Sequence, residues 1–332
     1  MLARPVLIAT FLVSAVNAWG TDVHNQIGLA AEAFLTPETT AIIQRILEPY
    51  YEGSIGRAAA WADGYAHTAN GSFSYPWHWI DSEDNPPSLC SLDFARDCPP
   101  KGCVVAAIAN QTAILRGCVS RAISGDLVDG SDIQCSQALK WVTHFIGDVA
   151  QPLHASGRAA GGNFVRVVYG GQNTELHAVW DSYILHSDAN LAPHTTFPHD
   201  SLSPFFAHLI SRIRSDDFNP PPSQTWLSCA DPATPVECAL EWASESNRWT
   251  CEYVYLMLRG PGDDGDDSKG ADAVDLLTNG YAQGAFGIVE TQVGKAALRL
   301  ATWLNMIVAY ELGQQQEQHS TERVDLRMIV QD

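Results

Sequence analysis

Apolar residues recur at helical spacing from the beginning of the chain. The first stripe predicts an amphipathic helix and consists of Val23, Ile27, Ala30, Ala31 and Phe34. A second helix is predicted after Thr36, which can cap its first turn, with Pro37 at the first helical position. The same spacing predicts further helices near residues 104–117, 136–149, 175–185, 202–214, 236–259 and 287–312.

One segment departs from the helical pattern. Residues 163–169 are rich in β-branched and aromatic side chains, and Gly170 and Gly171 follow them directly, which predicts a short strand and a turn. Helical stretches dominate elsewhere, and neither a linker nor an internal repeat interrupts them. The sequence therefore predicts a mainly α-helical, single-domain protein with a small β-hairpin.

The two ends of the chain differ from this central part. Arg4, an apolar run at residues 6–16 and small residues at Val16 and Ala18 predict a secretory signal peptide over residues 1–18, cleaved before Trp19. A catalytic domain is expected over residues 19–312, followed by a polar tail over 313–332. Residues 260–271 are predicted to form an acidic, solvated loop.

Composition agrees with export and restricts the function. Eight cysteines fit an oxidising compartment, and the sequons at Asn70 and Asn110 fit a secreted glycoprotein. The net charge of −19 argues against tight, sequence-specific binding to duplex DNA, because such binding needs a basic surface. It leaves open an enzyme whose positive charge comes from bound metal.

Histidine and aspartate occur in a repeated helical pattern. His144 and Asp148 are four residues apart, as are His177 and Asp181, so each pair lies on one face of a helix. Imidazole nitrogen and carboxylate oxygen are ligands that zinc accepts when no thiolate is offered. His154 follows Pro152, where the helix carrying the first pair must end or bend.

Four further candidates lie earlier in the chain: His24, Asp63, His78 and Asp81. Taken alone, a buried histidine is most often a core residue, and a His/Asp pair is most often a helix-face ion pair. The combination of residues 147–154, 161–163 and 176–181 is more specific than any one of its parts, and it indicates a metal site.

In these residues the chain resembles the zinc-dependent single-strand-specific nucleases of fungi and plants, the S-one/P-one nuclease family. The resemblance extends from Trp19 to about Tyr310 and includes Trp61-Ala62-Asp63 and His78-Trp79-Ile80-Asp81. It implies a compact α-helical domain, similar to that of zinc phospholipase C, which holds three zinc ions in a cleft. It also implies a local disulfide between Cys98 and Cys103.

The resemblance assigns ligands to each ion. The first set is Asp63, His78, His144 and Asp148. The second set is His154, His177 and Asp181. The third set is the α-amino nitrogen and carbonyl oxygen of Trp19, with His24 and the bridging Asp148. Only cleavage after Ala18 would free that α-amine.

The implied reaction is hydrolysis of single-stranded DNA and RNA to 5′-mononucleotides, together with 3′-nucleotidase activity. A water deprotonated between two zinc ions attacks phosphorus in line, and the third zinc stabilises the leaving 3′-oxygen. A secreted monomer without stable membrane association is expected. Two alternatives remain: a zinc-dependent phospholipase C, and a secreted zinc-binding protein without catalytic activity.

Substrate contacts follow less directly from the pattern. Trp79 is a candidate platform for a nucleobase or a core residue, and Asp81 either orients the attacking water or supports His78. Tyr183 stands where the family often has asparagine, and Lys101 stands where an acidic base-contacting residue is expected. These two departures make both residues candidate substrate contacts.

The remaining cysteines allow several pairings. Cys90 is expected to pair with Cys229 or Cys238, and a bridge from Cys118 to Cys135 would close a loop before the helix near 140.

Overall fold

The computed structural model describes residues 19–198, 200–218, 222–258 and 274–329, with side chains up to residue 317. The predicted signal peptide and the predicted acidic loop at 260–271 lie outside the described residues. Helices form most of the described chain, as the apolar spacing predicts. In chain order they are α1 Thr21–Glu32, α2 Pro37–Ile46, α3 Ile55–Ala58, α4 Trp61–Ala66, α5 Phe94–Asp97, α6 Val104–Ser124, α7 Ile133–Asp148, α8 Leu176–Ala178, α9 Ile184–Asp188, α10 Ser203–Ser215, α11 Pro235–Trp249 and α12 Tyr281–Ile329.

Tighter and wider turns connect several helices. The 3₁₀ segments are Pro49–Tyr51, Ser72–His78, Pro152–Ala155 and Ser223–Leu227, and the π-helical turns are Val179–Tyr183 and Thr250–Val254. The predicted cap of α2 is confirmed, since the Thr36 hydroxyl accepts a hydrogen bond from the Thr39 amide at 3.2 Å. The last helix differs from the prediction. It continues through Gly313 into the polar segment, whose glutamine and glutamate residues favour helix.

The predicted hairpin is confirmed. Strand β1 (Arg166–Tyr169) pairs antiparallel with β2 (Gln172–Glu175). Gly170 and Gly171 connect them with φ of +58° and +76°, which glycine adopts without strain and which suits a tight hairpin turn. Because β2 passes directly into α8, the hairpin fixes the position at which the helical segment containing His177 begins.

Two clusters of buried apolar side chains form the core. One surrounds α2, α6, α7, α11 and residues 300–308 of α12, and the other surrounds α1, the hairpin, α9, α10 and residues 281–297 of α12. They meet just after the carboxyl end of α7, where Val149 belongs to the first cluster and Ala150 to the second. Side chains at this end of α7 are therefore shielded from water on both sides.

Four disulfides join all eight cysteines. The predicted pairs Cys98–Cys103 and Cys118–Cys135 are confirmed. The expectation that Cys90 pairs with Cys229 or Cys238 is wrong: Cys90 pairs with Cys251, and Cys229 with Cys238. The reason is positional, because the π-helical turn after α11 brings Cys251 beside Cys90, while Cys229 and Cys238 lie nine residues apart around the start of α11.

Removing the long-range disulfide is expected to destabilise the protein far more than removing the local one. Cys90–Cys251 closes a separation of 161 residues and Cys98–Cys103 one of 5. Chain entropy then gives about 5 kcal/mol for the first and about 2 kcal/mol for the second. Chemical unfolding of the Cys90→Ser/Cys251→Ser and Cys98→Ser/Cys103→Ser variants measures both. Equal losses would contradict this expectation.

The described surface fits two further features of the sequence. Asn70 and Asn110, the sequon asparagines, are both exposed, the second on α6. Among the helices described, none combines the length and apolar character needed to cross a bilayer.

Candidate metal centre

The carboxyl-terminal turn of α7 is the centre of the site. His144 and Asp148 are both completely buried, and His144 Nε2 lies 3.3 Å from Asp148 Oδ2. His144 Nδ1 lies 2.7 Å from the carbonyl oxygen of Ala59, to which it donates when the proton is on Nδ1. That bond leaves the Nε2 lone pair directed at Asp148, as in many metal-binding histidines.

One residue of α4 and one of the 3₁₀ segment that follows it complete the first group. Asp63 projects from α4, and its Oδ1 lies 3.2 Å from Nε2 of His144. His78 ends the 3₁₀ segment, and its Nδ1 lies 3.1 Å from Nε2 of His144 and 3.1 Å from Oδ2 of Asp148. The ligand-type atoms of Asp63, His78 and His144 all lie within 4.8 Å of one another.

Helix α1 supplies His24, which belongs to the ligand set expected for the third ion. His24 is buried, its ring stacks on that of His144 with centroids 3.8 Å apart, and its Nε2 lies 3.1 Å from Oδ1 of Asp148. Gly147 makes this approach possible, because a Cβ at that position would lie 2.9 Å from the His24 ring. Oδ1 of Asp148 therefore faces His24, and Oδ2 of Asp148 faces His78 and His144.

The ligand set expected for the second ion comes from the segment after α7 and from the helical turn after the hairpin. His177 Nε2 lies 3.2 Å from Oδ2 of Asp181, and His154 Nε2 lies 3.9 Å from Oδ1 of the same carboxylate. The opposite ring nitrogens lie at hydrogen-bond distance from backbone carbonyls, that of His154 from His78 at 2.7 Å and that of His177 from Gly161 at 2.6 Å. Both rings thus present Nε2 to Asp181.

Trp19 lies beside these groups. Its side chain is completely buried, and its indole N–H donates to the carbonyl oxygen of Gly147 at 2.8 Å. The amide of Gly20 donates to the carbonyl oxygen of Asp181 at 3.0 Å. The predicted side-chain ligands, from His24 to Asp181, are therefore brought together by the fold, and the Trp19 side chain lies beside them.

The donor atoms in these groups fit a cation. Several are buried and, although some lie close to one another, make no hydrogen bond of acceptable geometry within the described protein: both ring nitrogens of His24, Oδ2 of Asp63, Nε2 of His78, Oδ1 of Asp148, and Nε2 of His154 and His177. Each unpartnered buried polar atom costs about 1–3 kcal/mol. Divalent zinc takes both atom types as ligands, so bound zinc would satisfy these atoms.

Burial and neighbouring charge perturb these groups strongly. Burial lowers the pKa of His24 to about 4 and that of His177 to about 3, and it raises the pKa of Asp181 well above its usual range. Burial also opposes charge on Asp148, yet the adjacent His144 holds the pKa of that carboxyl well below its usual range. The pKa of His144 is raised correspondingly. Metal binding therefore competes with a proton on His144.

Gln151 is a site residue that the sequence analysis did not single out. It is completely buried, and its side-chain amide donates to Oδ1 of Asp181 at 2.6 Å. Its side-chain oxygen accepts from the amide of Leu153 and so caps the 3₁₀ segment that contains His154. The signal in the sequence was a polar residue between Val149-Ala150 and Pro152-Leu153, within an otherwise apolar stretch.

Trp79 and Asp81 are the aromatic and carboxylate candidates for substrate contact. Together with Lys101 they form the more exposed edge of the site, which we call the rim. Trp79 is half-buried, its indole N–H donates to Oδ2 of Asp81 at 3.1 Å, and its ring meets that of Tyr75 edge-on at 5.0 Å. Asp81 is exposed, yet the protein around its carboxyl group displaces water and so raises its pKa. The hydrogen bond from Trp79 and the charges of Lys101 and His154 oppose that shift. In the described part of the chain, Asp81 hydrogen-bonds Trp79 rather than His78.

The two residues that depart from the family pattern have different surroundings. Lys101 is exposed, and its charge acts on Asp81 at the rim. Tyr183 is half-buried, and its ring packs against those of Tyr169 and His194, with centroids 5.8 and 4.3 Å apart. These contacts direct Tyr183 toward the hairpin and the loop after α9.

A side-chain hydrogen bond holds the turn before the hairpin. The side-chain amide of Asn163 donates to the carbonyl oxygen of Ala160 at 2.7 Å. This turn carries Gly161, whose carbonyl oxygen faces His177.

Comparison with known proteins identifies the same family as the residues do. A family model described as S1/P1 Nuclease matches residues 19–309. Nuclease S1 of Aspergillus oryzae is 32% identical over 308 residues, which cover 92% of this chain and 97% of that protein. Nuclease P1 of Penicillium citrinum is 31% identical over 294 residues, covering 89% and 99%. Endonuclease 4 of Arabidopsis thaliana is 29% identical over 308 residues, covering 91% and 93%.

These matches confirm the resemblance and the expected fold class. The family depends on zinc and acts on single-stranded nucleic acid, and the three His/Asp groups supply donor atoms that zinc accepts. Because the family model covers nearly the whole chain, and because the fold assembles these groups, the chain belongs to the S1/P1 nuclease family and is a hydrolase of nucleic acids.

Proposed function

We propose that this protein is a secreted endonuclease that uses three zinc ions to hydrolyse single-stranded DNA and RNA to 5′-mononucleotides, and that it also dephosphorylates 3′-mononucleotides. The observation that carries the proposal is the convergence of three buried groups of unpartnered imidazole and carboxylate atoms next to the half-buried Trp79. A monomer is proposed, without stable association with membranes.

The proposed ligand sets follow the observed groups. One zinc would be held by Asp63, His78, His144 and Asp148, and a second by His154, His177 and Asp181. A third would be held by His24, Asp148 and the main chain of Trp19. Supporting this arrangement, each oxygen of Asp148 faces a different group, and the backbone carbonyls orient His144, His154 and His177.

In this proposal, bound zinc would supply positive charge to the phosphodiester and would lower the pKa of the attacking water. Asp81 orients that water, and the hydrogen bond from Trp79 holds the Asp81 carboxylate at the rim. Trp79 stacks on a nucleobase, which selects single strands because duplex bases are already stacked. Lys101, exposed and close enough for its charge to act on Asp81, contacts the substrate, and Tyr183, whose ring packs on Tyr169 of the hairpin, is the second candidate contact.

Processing of the chain is part of the proposal. Cleavage after Ala18 would give Trp19 the free α-amine that the third zinc requires. The beginning of the family match at residue 19 and the complete burial of the Trp19 side chain support this. Secretion is further supported by the four disulfides and by the exposed sequon asparagines Asn70 and Asn110, which we propose are glycosylated.

The test is hydrolysis of heat-denatured DNA, RNA and duplex DNA by the mature protein, with 3′-adenosine monophosphate and phosphatidylcholine as separate substrates. We expect 5′-mononucleotides from the single strands, little product from duplex, phosphate from the 3′-mononucleotide and none from the lipid. Hydrolysis of the lipid without nuclease activity would establish the phospholipase alternative instead. A zinc-loaded protein that hydrolyses none of these substrates would establish the non-catalytic one.

Replacing Trp79 by alanine is expected to raise KM for single-stranded oligonucleotides by about 5- to 150-fold. This corresponds to the roughly 1–3 kcal/mol that one base–aromatic stack contributes. Steady-state kinetics with an oligonucleotide and zinc analysis of the variant measure the effect. Phe73→Ala is the matched control, because Phe73 lies in the 3₁₀ segment that ends just before Trp79, is 53% exposed, and packs toward Trp77 and Trp141. A Trp79→Ala variant with unchanged KM would contradict the stacking role.

A further inference from the structure

The segment that begins the mature chain is attached to the two parts of the fold that carry ligands. The indole of Trp19 bonds Gly147, the residue before Asp148, at 2.8 Å. The amide of Gly20 bonds the carbonyl oxygen of Asp181 at 3.0 Å. Gly20 also lies so close to Ser182 that a Cβ on Gly20 would collide with the serine hydroxyl. Residue 19 is thus held between α7 and the π-helical turn.

A third attachment joins α1 to α9. Asp22 Oδ2 lies 2.7 Å from Nε2 of His186, which is one helical turn beyond Ser182. Oδ1 of Asp22 accepts a second hydrogen bond, from the amide of Val23, at 3.0 Å. The His186 side chain is 9% exposed, and its ring meets that of Phe197 edge-on at 5.3 Å. Packing therefore holds the histidine in place, and the carboxylate of α1 docks on it.

This contact controls the position of the first turn of α1. His24 lies on the same helix, and its amide bonds the carbonyl oxygen of Gly20 at 3.0 Å, so a rotation of α1 would move Trp19 and His24 together. The bonds made by Trp19 and Gly20 involve residues at the very end of the mature chain, where backbone readily frays. The Asp22–His186 contact secures the helix just behind them.

We propose that Asp22 and His186 form a clamp that positions the Trp19 main chain and His24 for binding the third metal ion. The clamp rests on the proposed function, in which the mature chain begins at Trp19. Neither residue belongs to the groups of ligand-type atoms, so both act as positioning residues. An alternative explanation is that Asp22 only favours the amino end of α1 through its charge.

Zinc affinity distinguishes the clamp from that alternative. The mature Asp22→Ala variant is expected to retain two tightly bound zinc ions and to bind the third about 10- to 100-fold more weakly, as is typical when a supporting contact of a metal ligand is removed. Titration against a chromophoric chelator measures this directly. His186→Ala should show a similar loss, and the double variant should lose little more, because the two residues form one contact.

Conservative variants keep the test informative if the alanine variants fold poorly. Asp22→Asn and His186→Gln each retain an acceptor or a donor for the contact, so both should bind the third zinc within a few-fold of the wild type. Glu38→Ala is the matched control. Glu38 is the exposed acidic residue at the second position of α2, as Asp22 is at the second position of α1, and its loss should leave all three zinc affinities unchanged.

Two outcomes separate the clamp from the function it supports. A protein that begins at Ala18 should lack the third zinc. If it binds zinc like the mature protein, chelation by the Trp19 main chain fails, and the clamp proposal fails with it. If it loses the third zinc while Asp22→Ala and His186→Ala bind three ions with wild-type affinity, the clamp alone is overturned.

Discussion

Asp148→Asn is expected to lower kcat/KM on single-stranded DNA by about 10³-fold, equivalent to about 4 kcal/mol of transition-state stabilisation. The reason is the central position of this carboxylate. Oδ1 lies 3.1 Å from Nε2 of His24, and Oδ2 lies 3.1 Å from Nδ1 of His78. Asparagine keeps the shape but offers one acceptor oxygen, so its NH₂ group would face one of the two groups and repel a cation there.

Kinetics on denatured DNA, zinc analysis and thermal unfolding of the same preparation test this expectation. Asp97→Asn is a suitable control, because Asp97 is also buried but bonds Arg96 and the amides of Glu83 and Asp93. That variant should lose stability and keep its kcat/KM once folded. An Asp148→Asn enzyme with full zinc content and activity within tenfold of the wild type would show that Asp148 does not bridge two ions.

The parts of the site that the sequence predicts directly are local. A spacing of four residues places His144 near Asp148 and His177 near Asp181 once the segments are helical, and the apolar stripes indicate those helices. The second pair shows the limit of this argument. The segment is not one regular helix, because a π-helical turn at Val179–Tyr183 follows α8, although both side chains still face the same point.

The convergence of distant segments was not predictable from spacing. His24, Asp63 and His78 come from three separate elements, and only the resemblance to a known family placed them together before the fold was described. Gln151 had no such help, since its role depends on where Asp181 lies after the chain has folded back. The partner of Cys90 is a similar case, because the contact with Cys251 depends on how the end of α11 packs.

The location of the site follows from the core. The carboxyl end of α7 lies at the boundary between two apolar clusters, so His144 and Asp148 are removed from water although they are polar. Burial makes unpartnered donor atoms unfavourable, and it also strengthens their attraction to a cation. The same arrangement thus explains both the shifted pKa values of these groups and why their donor atoms fit a cation.

Removing the metal should therefore affect stability as well as activity. We expect a strong zinc chelator to abolish hydrolysis of single-stranded DNA and RNA and to lower Tm substantially. A ligand that binds the native state alone contributes about 4 kcal/mol at a free concentration of 1,000 Kd, and three such sites would together contribute about 12 kcal/mol. Calorimetry in zinc-buffered and chelator-treated solutions, with activity measured in parallel, gives both quantities.

Re-addition of metal completes the test. Zinc should restore Tm and activity together, whereas calcium and magnesium should restore neither, because these hard cations prefer oxygen and the three groups include five imidazoles, those of His24, His78, His144, His154 and His177. Recovery with calcium alone would point to an oxygen-rich site elsewhere. An unchanged Tm after complete zinc removal would mean that the buried histidines and aspartates are stable without a cation, and the assignment of these groups as a metal centre would then be wrong.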